Sequence, residues 1–344
     1  MRVLVAMSGG VDSSVAAGLL VDAGHEVVGA TMKLWGGDSD SGCCSVADVE
    51  DARRVAEQLG IVHHVFNFEA DFEREVVGPY VSHHTEGRTP NPCVECNRHL
   101  KFDRFLRRAL RLGFDAVATG HHARVERDPG GEVALRRGAD GDKDQSYVLA
   151  VLGQRQLDRC LFPVGLLTKP EVRVRAEQWG LRTAAKPDSQ DVCFITSAEG
   201  RAGFLGRRQS LHKGRLVDAS TRAVVGEVEA VELVTVGQRR GLGRARNGRP
   251  RYALSVDTGS GEVVVGSVAD LQVRTVRLSR QTWTSGPLPS GARMQAQCSA
   301  HGAAEPARLE GDVVRFDEPR RRVAPGQLVA LYHDDEVLGS GIAC

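Results

Sequence analysis

Short apolar runs alternate with amphipathic stretches through the first half of the chain, which has 344 residues in all. The runs are too short for core helices and are rich in branched residues, so they predict buried strands. These strands are residues 2–7, 25–32, 61–68 and 114–119. The amphipathic stretches predict helices over residues 15–23, 46–59, 97–112 and 169–179, each followed by a glycine. Repeated β–α units of this kind predict an α/β fold with a doubly wound, mostly parallel sheet that binds ligands at the carboxyl ends of its strands.

The second half has a different pattern, in which short alternating segments are separated by Gly, Pro and Asp turns. The predicted strands are residues 222–228, 232–236, 252–257, 262–265, 313–316 and 328–332. A chain of this length exceeds the size at which one core stops growing. We therefore predict a catalytic domain over residues 1–200, a small β-rich central domain over residues 201–270 and a C-terminal β-barrel-like domain over residues 271–344.

The first turn joins the first predicted strand to the first predicted helix. Its glycines let the backbone pass close to a ligand, and its hydroxyls and the free N–H groups of the helix can donate to phosphate oxygens. It lacks the lysine of a Walker loop and the spacing of a Rossmann loop. The turn therefore predicts an anion-binding cradle, with an ordinary capped turn as the alternative. The cradle residues are Ala6, Met7, Ser8, Gly9, Gly10, Val11, Asp12 and Ser13.

Three residues have a predicted role that depends on a bound nucleotide. Beside a triphosphate, Asp12 could bind Mg²⁺ or orient neighbouring donors. Met32 and Gly120 fall at the carboxyl ends of predicted strands. Met32 could line an adenine pocket and Gly120 could admit the nucleotide closely, although a buried methionine and a turn glycine are the ordinary alternatives.

Positive charge is concentrated in two places, although the net charge is only +1. Residues 98–111 contain six basic side chains and one acid, and residues 239–251 contain six arginines and no acid. Such clusters are typical of a polyanion-binding surface, and solvated helix faces and loops have the same composition. Both interpretations stay open from the sequence.

The cysteines indicate thiol or metal chemistry in a reducing compartment. The chain has eight cysteines, no charged-then-apolar leader and no apolar run of eighteen residues, so we expect a cytoplasmic protein without a membrane segment. Cys93 and Cys96 precede a basic predicted helix, which would favour a thiolate at Cys96. A zinc knuckle would need a second ligand pair, and Cys43-Cys44 lacks the usual spacing. Cys193, in a polar loop, is the natural distant partner.

Several motifs resemble those of known enzymes. SGGVDSSV resembles the PP-loop of the ATP pyrophosphatases, which holds the pyrophosphate of ATP while a substrate oxygen attacks the α-phosphate. In their order and spacing, the motifs resemble the tRNA-specific 2-thiouridylase family over most of the chain. They are SGGVDSSV, Gly42-Cys43-Cys44-Ser45, GRTPNPCVECN with Lys101-Phe102, ATGHHA, KDQSY from Lys143, KPDSQDVCFI from Lys186 and GQRRGLG from Gly237.

This resemblance implies a reaction and its participants. The family replaces the 2-oxygen of the wobble uridine of tRNA with sulfur, after ATP adenylates that oxygen. ATP and Mg²⁺ would be required, the anticodon stem-loop would be the substrate, and a persulfide-donating sulfur carrier or cysteine desulfurase would supply sulfur to a monomer. Cys193 would bear the persulfide and Cys96 would release its sulfur, leaving a transient disulfide. By the same resemblance Asn91, Pro92 and Cys93 would meet the flipped base, and His121, Lys143, Asp144, Gln145 and Gln327 would contact tRNA.

Three alternatives stay open. Some members of the family carry Asp at the position of Cys93, and Cys93, Cys96 and Cys193 could instead ligate an iron–sulfur cluster that binds sulfide at an open iron. A lysidine or amide synthetase of the same superfamily would need no cysteine pair. A nucleotide-dependent RNA-binding regulator would show no turnover.

Overall fold

The structure is a computed structural model that describes residues 1–35, 45–188, 192–196, 198–245 and 247–344. Parts of the predicted motifs lie outside these ranges, namely Gly42, Cys43 and Cys44, Ser189 to Asp191, and Arg246. Within the described ranges, every helix is too short or too polar to span a membrane.

The described elements alternate between strand and helix in the first half and are mostly strands in the second. The strands are β1 Arg2–Ala6, β2 Glu26–Lys33, β3 Val62–Asn67, β4 Ala116–Ala118, β5 Ala123–Arg127, β6 Val133–Arg137, β7 Cys160–Leu161, β8 Gly214–Asp218, β9 Val224–Val228, β10 Tyr252–Asp257, β11 Glu262–Gly266, β12 Gln272–Trp283, β13 Arg293–Gln297, β14 Ala304–Glu310, β15 Val313–Arg321, β16 Leu328–His333 and β17 Glu336–Ala343. The α-helices are α1 Val11–Asp22, α2 Val46–Gln58, α3 Glu69–Phe72, α4 Gly78–Thr85, α5 Pro92–Glu95, α6 Leu106–Arg111, α7 Ser146–Leu149, α8 Gln154–Leu157, α9 Lys169–Gln178 and α10 Gly200–Arg208. Two π-helical segments, Glu73–Val77 and Cys96–Phe105, join α3 to α4 and α5 to α6.

The first half is built on a five-stranded sheet in the order β3-β2-β1-β4-β7, and every pair in it is parallel. Side chains alternate along β1: Leu4 belongs to the apolar cluster on one face, and Val3 and Val5 belong to the cluster on the other. Both faces are therefore covered. The chain leaves β1 toward β2 on one side and returns to β4 on the other, so the loops after β1 and β4 meet at the position where such sheets bind ligands.

The second half forms two β units. Strands β10-β11-β8-β9 make a small four-stranded sheet, and strands β12-β15-β14-β13-β16-β17 close into a six-stranded barrel through the β12–β17 pair. These units and the parallel sheet confirm the predicted α/β architecture with a central β-rich part and a terminal barrel. The hairpin β5–β6 of the first half pairs with β17, so the barrel is attached to the first half by a shared sheet edge, which the sequence did not predict.

Several element boundaries differ from the predictions. Helix α1 begins at Val11, four residues before the predicted start, because Gly10 is an extended N-cap and the hydroxyls of Ser13 and Ser14 turn back onto its carbonyl. Residues 232–236 were predicted to be a strand, and this is wrong, because a 3₁₀ turn occupies Val231–Leu233.

The helix predicted to start at residue 97 begins at Pro92 instead. The side chain of Asn91 caps it by accepting from the Cys93 N–H at 3.0 Å, and proline is well suited to the first helical position. Cys93 therefore lies in the first turn of this helix, and Cys96 lies one turn further on. The predicted helix start is therefore wrong, and a thiolate at Cys96 stays a prediction.

Candidate functional site

The loop after β1 is held by close backbone approaches that only glycine permits. Gly9 has φ +73°, and a Cβ at this position would lie 2.3 Å from the carbonyl oxygen of Asp48 on α2. A Cβ at Gly120, after β4, would lie 2.5 Å from the backbone nitrogen of Ser13. Gly10 is less constrained, since its φ is −94° and a Cβ would meet only the Ser8 hydroxyl at 3.5 Å. The loop is therefore fixed between α2 and the β4 loop.

The hydroxyl groups of the loop stabilise the first turn of α1. Ser13 and Ser14 donate to the Gly10 carbonyl at 3.1 and 2.9 Å, and the Ser8 N–H donates to the Ser13 hydroxyl at 3.2 Å. Ser13 and Ser14 are buried, whereas Ser8 is exposed. The backbone N–H groups of a first helical turn have no intrahelical partner, so this geometry suits an anion.

Asp12 orients cations beside this loop. Both of its carboxylate oxygens accept from Lys169 Nζ, at 2.7 and 2.8 Å, and Oδ1 lies 3.2 Å from His122 Nε2. Burial works to raise the pKa of Asp12, but the hydrogen bonds from His122 and Lys169 outweigh it and lower that pKa below its usual value. Asp12 thus contacts two donors beside the loop, and both of its predicted roles stay predictions.

Two lysines from distant parts of the chain contact the region of the loop. Lys169 is the first residue of α9 and is only 8% exposed. Lys186 donates to the Gly9 carbonyl at 3.0 Å and pairs with Asp48 and Asp51 at 2.6 and 2.7 Å. Sequence reasoning missed both lysines. The signals available were a capping box that places Lys169 at a helix start and the position of Lys186 at the head of the KPDSQDVC stretch. We call this region, comprising residues 8–13, Gly120, Lys169 and Lys186, the loop end of the site.

The Asp188 carboxylate pairs with three basic side chains. Its carboxylate lies 2.8 Å from Lys169, 2.9 Å from Lys143 and 2.9 Å from Arg173. Partial burial works to raise the pKa of Asp188, but hydrogen bonds from Lys169 and Lys143 lower it to about 2. Asp188 therefore stays ionised at neutral pH and connects the chain that leads to Cys193 with the loop end.

The cysteines lie in an apolar environment. Cys96 is 8% exposed within the largest apolar cluster of the described residues, and the partly buried Cys193 packs against the same cluster. Phe194 inserts its ring among other aromatic side chains, with ring centroids 5.1 Å from Phe204 and 5.4 Å from Tyr80. The segment that carries Cys193 is thus anchored in the cluster that contains Cys96.

A cavity of about 450 Å³ opens beside the cysteines. Its volume falls in the range of small-molecule sites. Pro92, which precedes Cys93, and Val192, which precedes Cys193, are both in its wall. The lining residues are Tyr80, His84, Thr89, Pro90, Pro92, Val192, Ile195, Thr196, Gly200 and Arg201. We call this cavity, together with Cys93, Cys96 and Cys193, the cysteine end of the site.

His84 lines this cavity and is otherwise buried. It is 2% exposed, and its Nδ1 lies 3.3 Å from the carbonyl oxygen of Glu232, to which it can only donate. Its Nε2 is buried and has no hydrogen-bond partner within the described residues. Burial and the charge of Arg201 lower the pKa of His84 to about 4, so the ring is neutral at pH 7.

The predicted tRNA contacts are not gathered in one place. Asn91 caps α5, and Gln327 on the barrel side donates to the Thr89 carbonyl, which ties the barrel to the segment before Asn91. His121 is buried, and burial followed by the charge of Lys101 lowers its pKa well below the usual value.

The predicted contact segment from Lys143 to Gln145 makes internal contacts. Lys143 is exposed and pairs with Asp188. The Asp144 carboxylate accepts from Arg137 at 2.7 Å and from Ser146, and the Gln145 side chain accepts from the backbone N–H of His122 at 3.0 Å. Met32 is buried at the end of β2 and belongs to the apolar cluster.

The two basic clusters have different surroundings. Within residues 98–111, three basic side chains are paired with acids: Arg98 with Glu95, Arg104 with Asp71 and Arg107 with Asp103. Within residues 239–251, Arg239, Arg240, Arg244 and Arg249 are exposed and have no acidic partner in the described part of the chain. The second cluster is therefore the more available to a polyanion.

Metal ligands are not grouped in the part of the chain that the structure describes, since no three His, Cys, Asp or Glu side chains come together there as a possible metal site. Cys93, Cys96 and Cys193 are all within that part. The vicinal pair Cys43-Cys44 lies outside it.

Comparison with known proteins identifies the family. Residues 1–197 match the family described as tRNA methyl transferase HUP domain, residues 202–267 the tRNA methyl transferase PRC-barrel domain, and residues 273–343 the aminomethyltransferase beta-barrel domain. Similar relatives include proteins named tRNA-specific 2-thiouridylase MnmA. The protein from Mycobacterium avium (strain 104) is 50% identical over 357 residues, which cover 99% of this chain and 98% of that protein. The protein from Mycobacteroides abscessus (strain ATCC 19977) is 47% identical over 359 residues, which cover 99% of each. On this whole-length identity, the chain belongs to the family of tRNA-specific 2-thiouridylases.

Proposed function

We propose that this chain is an ATP-dependent sulfurtransferase that converts the wobble uridine of tRNA to 2-thiouridine. The observation that carries the proposal is the cysteine end: Cys96 and Cys193 share one apolar cluster beside a cavity that can hold a nucleotide base. The loop end, on the same half of the molecule, has the backbone donors and lysines that a triphosphate requires. Family membership supports the same assignment.

In the first step, the loop end holds ATP so that its α-phosphate reaches the target base. The 2-oxygen of the uracil attacks the α-phosphorus of ATP, the bond to the β-phosphate breaks, and pyrophosphate leaves with its electron pair. The N–H groups of the first turn of α1 would hold the pyrophosphate, and Lys169 and Lys186 would offset the negative charge. Adenylation turns the uracil oxygen into a good leaving group. Mg²⁺ would further neutralise the triphosphate. Because Asp12 already accepts from Lys169 through both carboxylate oxygens, we propose that the phosphates supply most of the ligands of this Mg²⁺ ion.

The second step takes place at the cysteine end. The outer sulfur of a persulfide on Cys193 attacks C2 of the uracil, and AMP leaves. The thiolate of Cys96 then attacks Cys193 Sγ, the sulfur–sulfur bond breaks, and the thiocarbonyl remains on the base. The sulfane sulfur is reduced to the level of a thiocarbonyl, and two cysteines are oxidised to a disulfide. An external thiol must reduce this disulfide, and a persulfide donor must reload Cys193, before the next turnover.

The substrate must expose its base. A stacked or paired uracil cannot reach a cavity behind Pro92 and Val192, whereas an anticodon loop presents unstacked bases. We therefore assign the cavity to the target base.

The test is mass spectrometry of tRNA nucleosides from cells that lack this chain. We expect 2-thiouridine derivatives to disappear and to return when the chain is supplied again. Unchanged levels in cells with no second enzyme of this activity would contradict the proposal. Adenylation of tRNA without thiolation by the purified chain would instead favour a lysidine or amide synthetase.

A further inference from the structure

Arg201, the second residue of α10, brings a positive charge to the wall of the cavity at the cysteine end. Its guanidinium is half-buried and donates to the Leu233 carbonyl at 2.7 Å and to the Thr235 hydroxyl at 3.4 Å. Both acceptors are uncharged, and within the described residues no carboxylate pairs with Arg201. These bonds therefore fix the guanidinium in place without neutralising it.

The two arginines at the end of the same helix have different surroundings. Arg207 pairs with Glu199 and Arg208 pairs with Glu73, each at 2.6 Å. On α10, the charge that lines the cavity is thus the one that no acid offsets.

The charge of Arg201 reaches other side chains of the cavity wall. Burial and this charge lower the pKa of His84, and the same charge partly offsets the rise that burial causes in the pKa of Tyr80. Because the His84 ring is neutral, Arg201 is the only charged side chain among the described residues that line the cavity. A partly desolvated cation without a counter-ion favours an anionic ligand.

Tyr80 brings a second hydrogen-bonding group to the same wall. The residue is 5% exposed, and its ring centroid lies 4.7 Å from that of His84 and 5.4 Å from that of Phe194. Its hydroxyl has no hydrogen-bond partner among the described residues. A buried tyrosine hydroxyl usually finds a partner, so we expect the ligand of the cavity to supply one.

Deepening the function proposed above, we propose that Arg201 and Tyr80 form a phosphate subsite that binds a phosphodiester group next to the target uridine. A flipped base stays joined to its ribose and flanking phosphates, so these must follow it toward the cavity. The volume of about 450 Å³ leaves room for more than a pyrimidine base. The planar guanidinium can donate to two phosphate oxygens at once, and the tyrosine hydroxyl can donate to a third acceptor position.

The source of the phosphate follows from the division of the site. The phosphates of ATP have their own donors at the loop end, in the first turn of α1. The RNA backbone is therefore the anion for the cavity. Contacts to the backbone set register and affinity and do not read the base, so losing them should weaken tRNA binding more than it slows the bound complex.

The experiment measures binding of the full chain to tRNA in which single phosphates are made neutral. Unmodified tRNA is assembled by ligation from synthetic segments, with a methylphosphonate on the 5′ side of the target uridine, on its 3′ side, or at neither place. Dissociation constants are measured without ATP at several salt concentrations. The protein variants are Arg201→Gln, Arg201→Lys and Tyr80→Phe, with Arg207→Gln as the matched control on the same helix.

We expect Arg201→Gln to bind ordinary tRNA roughly 10-fold more weakly and to lower the log–log salt slope by about 0.7 to 0.9. One of the two methylphosphonates should weaken binding of the parent by a similar factor and should cause no further loss in Arg201→Gln. Tyr80→Phe should lose roughly threefold on ordinary tRNA and nothing more on that neutral tRNA. Arg201→Lys should recover part of the affinity, and Arg207→Gln should stay within about twofold of the parent.

A structural role for Arg201 would give a different result. If Arg201→Gln loses the same factor on ordinary and neutral tRNA, the guanidinium only holds α10 against residues 233 and 235, and the proposal is wrong. A parent that binds both neutral tRNAs as tightly as ordinary tRNA would also overturn it, whether or not the variants fold. So would a rise in the ATP concentration required for pyrophosphate release by Arg201→Gln with no loss of tRNA binding, since the phosphate would then be that of ATP.

The failure of the proposed function has its own signature. If the parent binds ordinary tRNA but forms no 2-thiouridine when supplied with a small-molecule persulfide and ATP, sulfur transfer by this chain is contradicted. The binding comparison between ordinary and neutral tRNA still decides on the phosphate subsite in that case.

Discussion

The loop end and the cysteine end of the site are held together by opposite kinds of interaction. At the loop end, Lys169 and Lys186 lie 2.6 to 3.0 Å from carboxylates and a backbone carbonyl, and Gly9 brings the backbone against α2. At the cysteine end, Cys96 and Phe194 are buried in a cluster of aromatic and aliphatic side chains. Charges and close backbone suit the binding of a triphosphate, and an apolar cluster excludes water from a sulfur intermediate.

Because the two ends are stabilised by different interactions, different substitutions should impair the two half-reactions. Substitutions that add a side-chain atom where the loop has no room, as at Gly9, should stop adenylation, and substitutions that remove a sulfur should stop only thiolation. The predictions below separate the two ends on that basis.

The largest effect should come from the cysteines. Serine at Cys96 or Cys193 removes a sulfur that the chemistry requires, so 2-thiouridine formation should fall below detection while pyrophosphate release continues. Cys93→Ser is the matched control, since the persulfide route uses two thiols, and it should retain most of the activity. Nucleoside mass spectrometry and a pyrophosphate assay on the same samples check this.

An iron–sulfur route predicts a different pattern. All three cysteines would then be ligands, so Cys93→Ser would cost as much activity as the other two. Brown anaerobic protein with stoichiometric iron, and no mass gain of one sulfur on Cys193, would replace the persulfide route with this one.

A comparably large effect, confined to the first step, should come from Gly9. Valine at this position would clash with the Asp48 carbonyl and would have to adopt a positive φ, so adenylation should be abolished. Gly10→Ala should be mild, because a Cβ there meets only the flexible Ser8 hydroxyl. The assay is conversion of ATP to AMP and pyrophosphate, with circular dichroism to confirm the fold. A folded Gly9→Val variant that matches the parent rate would mean that the loop is not a phosphate cradle.

The basic clusters should have an intermediate effect that is equal on both half-reactions, because it acts through tRNA binding. Replacing Arg239, Arg240 and Arg244 with glutamine should weaken binding and lower the log–log salt slope by about 0.7 to 0.9 for each phosphate that is no longer neutralised. Replacing Arg104, Arg107 and Arg108 should do less, since the first two of these are paired with acids. Equal slopes for the two variants would remove the distinction between the clusters.

The smallest effect should appear in acid. The pKa of Asp188 is lowered to about 2 from a usual 3.8, so its ion pairs stabilise the fold fully above pH 4 and are lost as the pH falls toward 2. The difference in free energy of unfolding between the parent and Asp188→Asn should therefore shrink across this window. Urea unfolding at several pH values measures it. A difference that grows in acid would contradict the ionic account of the loop end.

Parts of this site that are contiguous in the sequence could be predicted from it. Parts that are brought together from distant segments by folding could not. The loop was recognised because Gly9 and Ser13 lie within one strand-to-helix turn. The contacts of Lys169 and Lys186 with the loop end depend on how α9 and the segment after it pack. The spacing of residues along the chain does not encode this packing. The start of α5 could have been predicted from the sequence, because Asn91 followed by proline is a helix-start signal, which the sequence prediction overlooked.

The fold shows the same limit. Period-2 and β–α patterns gave the parallel sheet and the β-rich second half. The pairing of β6 with β17 joins residues 200 positions apart, such as Arg136 and Glu336, and no local pattern along the chain encodes a pairing at that separation. The attachment of the barrel to the first half therefore required the structure.

The most direct test of the central claim is a single turnover with persulfide-loaded chain, ATP and unmodified tRNA, analysed by quantitative mass spectrometry of both tRNA and protein. The account predicts one 2-thiouridine, one AMP and one pyrophosphate for each loaded Cys193, together with a new Cys96–Cys193 disulfide in the same amount. Thiolated tRNA formed without that disulfide, or from protein whose Cys193 never carried the extra sulfur, would contradict it.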